Sequence, residues 1–243
     1  MEKIVCILFL ILFENSNFYK NINIIKKIDN YEYIVNKNNK LESDYIPTDL
    51  EEIDLRFACL NKFLRKEAKI NFERMVKDAK DKGYNIVAVS AYRSYNYQEK
   101  LYNNYVVDKG FYYADIASAR PGHSEHQTGL AVDVADLSLD YDNFDKTKEF
   151  KWMINNSYKY GFILRYPKAK FHITGFKYEP WHYRYVGIKL ASYLYKNNLL
   201  LEEKNWTIVQ FFILYLFSYL HFAQASYLES LYILKIMPYW YFH

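Results

Sequence analysis

Cysteine is nearly absent from this 243-residue chain: there are two, and Cys6 lies within an apolar N-terminal run, which leaves Cys59 alone in the remainder. Neither a disulfide framework nor a cysteine zinc cluster can be built from one thiol. Blocks of like charge are missing as well. The formal net charge of +4 is spread along the chain, without the clustered patch or stripe that a nucleic-acid footprint requires, so nucleic acid is not an expected partner. No internal repeat is visible, which sets aside solenoids and propellers. The helix-borne zinc motif HExxH does not occur either.

The apolar run Ile4 to Phe13 is ten residues long. That suits a signal-peptide core better than a membrane span, which needs about 20 residues. No small-x-small cleavage site follows it, and Cys6 sits too early to be a lipidation cysteine. Residues 1–27 are therefore read as a signal peptide or membrane anchor and 28–32 as a tether. At the other end, 204–243 is a hydrophobic, aromatic-rich tail. Its 17-residue stretch Trp206 to Phe222 is at the short edge of a span, and no role is assigned to it.

Between the ends the pattern becomes readable. Ala68, Phe72, Met75 and Ala79 recur at spacings of four, three and four, the apolar stripe of an amphipathic helix within Asp54 to Lys82, stopped by Gly83. Asn85 to Tyr92 is short and β-branched, a buried strand that delivers Arg93 to its end. A second helix is expected over Asn96 to Lys109, with Gln98, Leu101 and Tyr105 at helical spacing. A third is expected over Phe150 to Tyr160, then a strand from Gly161 to Pro167, a hairpin over 173–187 and a helix around Ile188 to Lys196.

The chemistry concentrates in 120–136, RPGHSEHQTGLAVDVAD. In the strand-like part, Ala131, Asp133 and Ala135 share one face while Leu130, Val132 and Val134 share the other. An aspartate within an otherwise apolar strand is costly to bury unless it is paired or bound to metal. His126 precedes it across the turn-prone Gly129. A hydrolytic zinc takes three His, Asp or Glu ligands and keeps a fourth position for water, so a third ligand must come from His123, His172, His182, His221 or His243. His182 stands out because Glu179, three residues earlier, offers a carboxylate able to shuttle the proton of an attacking water. On a flat strand, residues three apart face opposite ways; Pro180 is the expected bend. Arg93 reads either as a surface arginine or as a fixed cation suited to a carboxylate or a developing oxyanion.

Three blocks carry a resemblance to a known family. SEHQTGLAVD (124–133) fits S-x-H-x-x-G-x-A-x-D, EPWHYR (179–184) fits E-x-W-H-x-R, and SAYRSYNYQ (90–98) fits an upstream S-x-Y-R-S…Q block. Together they resemble the VanY-like zinc D,D-carboxypeptidases, relatives of D-alanyl-D-alanine dipeptidases and L,D-carboxypeptidases. The resemblance covers 33–203, the expected catalytic domain. It implies an α+β fold of the D,D-peptidase/Hedgehog type, a central antiparallel sheet flanked by helices, here with hydrophobic N- and C-terminal extensions. It implies one Zn²⁺ per chain held by His126, Asp133 and His182, with Glu179 as catalytic base and then acid. Arg93 would stabilise the carbonyl's charge and help hold substrate. Gln98, Ser124 and Tyr166 match positions lining the peptide pocket, and Trp181 would pack beside the metal and orient His182. Arg184 would stand behind the ligands; His123 and His172 receive no role.

The activity so implied is removal of the terminal D-alanine from a peptidoglycan stem peptide. The alternatives are L,D-carboxypeptidase action on the tetrapeptide and a non-catalytic wall-binding module. The apolar ends imply association with the membrane, the catalytic domain facing outside, or secretion if the N-terminal segment is cleaved.

Overall fold

The computed structural model describes residues 18–26, 28 and 30–204. The chain divides into a compact unit, Met1–Leu201, and a second, Glu202–His243, of which 202–204 are described. Most of the expected signal or anchor segment, and the tail from 205 onward, lie outside the described residues. Among those described, no helix is long and apolar enough to cross a membrane.

The chain begins with two small sheets. Strand β1 (Asn23–Ile24) pairs in parallel with β2 (Asn39–Lys40), and β3 (Leu50–Glu52) pairs antiparallel with β4 (Phe63–Arg65). The first long helix, α1 (Lys66–Lys80), follows. Its stripe works as the spacing predicts: Ala68, Phe72, Met75 and Ala79 are all fully buried. It starts at Lys66 rather than near Asp54 because β3 and β4 take up the preceding chain. Then come β5 (Val87–Ser90), α2 (Tyr95–Lys109), α3 (Phe111–Ala117) and β6 (Ala131–Ala135). The last part comprises α4 (Lys148–Asn156), β7 (Phe162–Tyr166), α5 (Phe171–Thr174), β8 (Glu179–Tyr185) and α6 (Ile188–Asn197). The hairpin expected over 173–187 is instead one turn of helix, α5, and a single strand, β8.

Strands β5, β6, β8 and β7 lie in that order, every neighbouring pair antiparallel. The two faces of this sheet differ in chemistry. Leu130, Val132 and Val134 point into the main core with Phe72 and Met75 of α1 and Met153 of α4. Asp133 points the other way, as alternation requires.

Packing begins earlier than the expected domain start at Tyr33. The rings of Phe18 and Tyr19 lie 6.0 and 4.8 Å from the Lys37 ammonium, which also sits 4.0 Å from the Phe176 ring centre. Lys37 is 1% exposed and donates to the Asp115 carbonyl. The Asp115 carboxylate itself is taken by Arg120 at 2.8 and 2.9 Å and by the Tyr102 hydroxyl at 2.7 Å. The π faces around the ammonium each favour it only modestly. Burial pushes its pKa down to about 7, with Asp115 opposing.

The unfolded chain keeps this proton up to an ordinary pKa of 10.5 while the folded chain gives it up near 7. Relative to a Lys37→Met variant, the wild-type protein should therefore gain stability as pH rises through that window, by up to about 1.4 kcal/mol per unit. Urea unfolding of both proteins across the window tests this; a difference independent of pH would contradict it.

Candidate metal centre

Asp133 and His182 face each other directly across β6 and β8, and Asp133 Oδ1 lies 3.2 Å from His182 Nδ1. His126 comes from a turn of 3-10 helix, Glu125–Thr128, capped by Ser124, whose hydroxyl accepts the His126 N–H at 3.3 Å. Gly129 ends the turn at φ 67°. A Cβ there would stand 2.8 Å from Leu50 Cδ2 and 3.0 Å from Arg65 Cγ, so a side chain is opposed by both conformation and space. The result sets His126 Nε2 3.3 Å from Asp133 Oδ2. One donor atom from each of His126, Asp133 and His182 lies within 4.8 Å of the others.

The hydrogen bonds behind the two imidazoles decide which nitrogens face the cluster. His126 Nδ1 is 2.6 Å from the Ala91 carbonyl, an acceptor only, so Nδ1 carries the proton and Nε2 presents a lone pair. His182 is turned the other way, with Nε2 3.2 Å from Glu125 Oε2 and Nδ1 toward Asp133. His126 Nε2 and Asp133 Oδ1 are buried and make no hydrogen bond to any described residue.

Electrostatics follow from this crowding. Burial works against the Asp133 carboxylate, yet His126 and His182 outweigh it and hold the group well below the usual range. Burial would also lower His182, but the carboxylates of Asp133 and Glu125 beside it raise it to about 9. Burial and then Arg93 push His126 down to about 4. Glu179 moves upward to about 7, through burial first and the nearby Asp133 charge after it.

Glu179 opens β8 with Oε2 3.8 Å from His182 Nδ1. Two residues three apart share a face here because the register breaks: Leu164 pairs with Tyr183 but Tyr166 pairs with Glu179, two steps on β7 against four on β8. A bulge of this kind bends a strand and re-aims side chains, and Pro180 lies within it. Arg93 is fixed rather than splayed on the surface. Its N–H donates to the His126 carbonyl at 3.2 Å, and its guanidinium reaches Ser90 Oγ at 3.2 Å and stands 3.5 Å from Asp133 Oδ2.

These groups open on a cleft of about 520 Å³ whose lining also includes Ser124, Tyr166 and Trp181. The aromatic ring against His182 is Tyr166, with centroids 4.9 Å apart. Trp181, expected beside the metal, lines the cleft and packs edge-on against Tyr141 at 5.2 Å. Gln98 does not line the cleft. It is 1% exposed and its amide nitrogen donates to Ser118 Oγ at 3.1 Å and Ala119 O at 2.8 Å, so it supports that wall from behind. His123 is a packing residue, bonded to the Asn36 carbonyl at 2.8 Å and edge-on to Tyr19.

Two charged residues escaped the sequence reading. Glu125 is buried with Oε1 2.8 Å from Arg165 Nε and 3.4 Å from Arg184 Nη1. Burial alone would raise its carboxyl, but Arg165 and Arg184 hold it far below the usual carboxylate range. Arg184, expected behind the ligands, is held there by the carbonyls of Tyr31, Tyr33 and Tyr185 at 3.2, 3.1 and 3.0 Å. The only local trace of this group was an arginine inside the strand GFILRYP.

The model of the family described as "VanY: D-alanyl-D-alanine carboxypeptidase" matches residues 61–188. The chain belongs to this family. YodJ of Bacillus subtilis (strain 168) is 44% identical over 209 residues, 78% of this chain and 77% of its own length. The solved LdcB LD-carboxypeptidase superposes with a TM-score of 0.68 at 43% identity, covering 78% of this chain and 95% of that one. A mutant of the vancomycin resistance D,D-pentapeptidase VanY in complex with Zn(II) gives 0.63 at 32%, covering 72% and 98%.

Removing one partner from a buried ion pair leaves an uncompensated charge. Arg165→Met should therefore destabilise the metal-free domain by about 3 kcal/mol, the low end for such pairs because Arg184 remains. Urea denaturation measures it, and a loss below about 1 kcal/mol would show that Arg184 suffices.

Proposed function

We propose that this protein is a zinc-dependent carboxypeptidase that removes the terminal D-alanine from peptidoglycan stem peptides ending in D-Ala-D-Ala. The observation that carries the reading is the convergence of two imidazole nitrogens and a carboxylate beside a buried carboxylate, Glu179, which stands back from them. The donor set fits the metal: His, Asp and His with an open side is a catalytic zinc arrangement, and the unbonded His126 Nε2 and Asp133 Oδ1 are buried polar atoms that coordination would satisfy.

When bound, Zn²⁺ supplies Lewis acidity toward the scissile carbonyl and the attacking water. The chain's own residues do the rest. Glu179, buried beside the ligands with Oε2 3.8 Å from His182 Nδ1, is the carboxylate placed to act as general base. It takes a proton from water as oxygen bonds to the carbonyl carbon, and returns it to the amine as the carbon–nitrogen bond breaks. Arg93, anchored by the His126 carbonyl and Ser90, presents a cation to the developing oxyanion. Ser124, Tyr166 and Trp181 form the wall on which the peptide lies.

The similarity to an LD-carboxypeptidase at 43% identity supports a second reading, cleavage of the tetrapeptide ending in one D-Ala by the same groups. Either substrate lies in the cell wall. The apolar run Ile4 to Phe13 supports a catalytic domain, 33–203, working outside the membrane, tethered by 1–27 or released from it, with 204–243 as an apolar extension.

The test is to incubate the full chain with stem peptides ending in D-Ala-D-Ala or in a single D-Ala, with and without a chelator, and to weigh the products. Loss of one alanine from the first peptide, stopped by chelator, is expected. Glu179→Ala should slow turnover by about 10²–10⁴-fold and keep about one zinc per chain. Chelator-resistant cleavage would refute the zinc mechanism, and loss of zinc from the variant would refute the role given to Glu179.

A further inference from the structure

We propose that Glu125 is a positioning residue of the metal centre: it fixes His182 in the one tautomer that turns Nδ1 toward Asp133 and the metal. The inference rests on the zinc reading above and adds to it a determinant of affinity that is not itself a ligand.

The two oxygens of Glu125 have separate partners. Oε1 faces Arg165 Nε at 2.8 Å and Arg184 Nη1 at 3.4 Å, and Oε2 faces His182 Nε2 at 3.2 Å. An ionised carboxylate can only accept, so Nε2 must carry a hydrogen and the lone pair of the neutral ring is left on Nδ1. His126 meets an acceptor on its opposite nitrogen, the Ala91 carbonyl at 2.6 Å. The two histidines therefore coordinate through different atoms, Nε2 of His126 and Nδ1 of His182, and each choice is made from behind the ring. The backs are not equivalent, because one is a neutral carbonyl and the other a full negative charge that makes the ring a stronger donor.

The guanidiniums make the arrangement directional. Arg165 is 1% exposed and Arg184 fully buried, and Arg184 is pinned by three carbonyls. Arg165 Nε donates to Oε1 and the Arg184 guanidinium stands beside the same oxygen, so both favour an oxygen at that position. In a Glu125→Gln variant the amide oxygen would be drawn to that position, which leaves the NH₂ group facing His182 Nε2. A donor there demands the opposite tautomer, with hydrogen on Nδ1 and no lone pair for the metal. The substitution keeps shape and volume yet reverses the instruction given to the ligand.

The experiment uses the full chain, wild type and Glu125→Gln, and measures zinc affinity by competition with a chromogenic chelator. A fall of about 10–100-fold is expected in the variant. The wild-type protein also provides a readout that does not depend on how the variant folds: ¹⁵N resonances of labelled histidine, with zinc bound. These should show His182 coordinated through Nδ1 with a slowly exchanging Nε2–H, a signature that a merely structural ion pair would not set. Zinc affinity unchanged within about twofold, against the loss expected of an outer partner, or coordination of His182 through Nε2, would overturn this inference alone. Failure of the wild-type chain to bind zinc would remove the metal reading and the inference with it.

Discussion

A carboxylate on an inner strand of a sheet is among the costlier things a fold can bury, and Asp133 is such a group. It sits on β6 with strands on both sides, 8% exposed. Unpaired, it would cost several kcal/mol or give up its charge. The structure instead surrounds it with His182 from the facing strand, His126 from the preceding turn and Arg93 from the end of β5. His182 is supplied by the regular pairing of β6 with β8, while His126 depends on a left-handed glycine at 129 and Arg93 on a backbone bond to the His126 carbonyl. The geometry of the cleft follows from solving one electrostatic problem.

Behind the first ring of residues lies a second, drier one. Glu125, Arg165 and Arg184 are essentially inaccessible to water, and charges there tolerate no missing partner. Through the Tyr31 and Tyr33 carbonyls this layer extends to the N-terminal part of the domain. Residues well before the signature motifs thereby become part of the support for the metal centre.

How much of this could be read from the chain depends on whether the signal was local. Ala68 to Ala79 declared a helix because the period of its apolar residues matches the helical turn. Asp133 declared itself because alternation put a charge among Val132 and Val134. The bulge that brings Glu179 and His182 together left only Pro180 as a hint, since register depends on the partner strand. The Arg165–Glu125 and His182–Glu125 contacts span 40 and 57 residues and have no local signature at all. Trp181 and Gln98 were placed by resemblance, which matches positions but does not say which way a ring turns or which side of a wall an amide holds. The early packing of Phe18 and Tyr19 was hidden by the absence of any period in that stretch.

The account's central claim is that His126, Asp133 and His182 form one zinc site in which the two rings use different nitrogens. A crystal structure of the zinc-loaded chain, with data collected across the zinc absorption edge, tests it most directly. The account predicts one anomalous peak in the cleft, about 2.0–2.2 Å from His126 Nε2, an Asp133 oxygen and His182 Nδ1, with Glu179 outside bonding distance. A peak bound through Glu179 or through His182 Nε2, or no peak in the cleft, would contradict it.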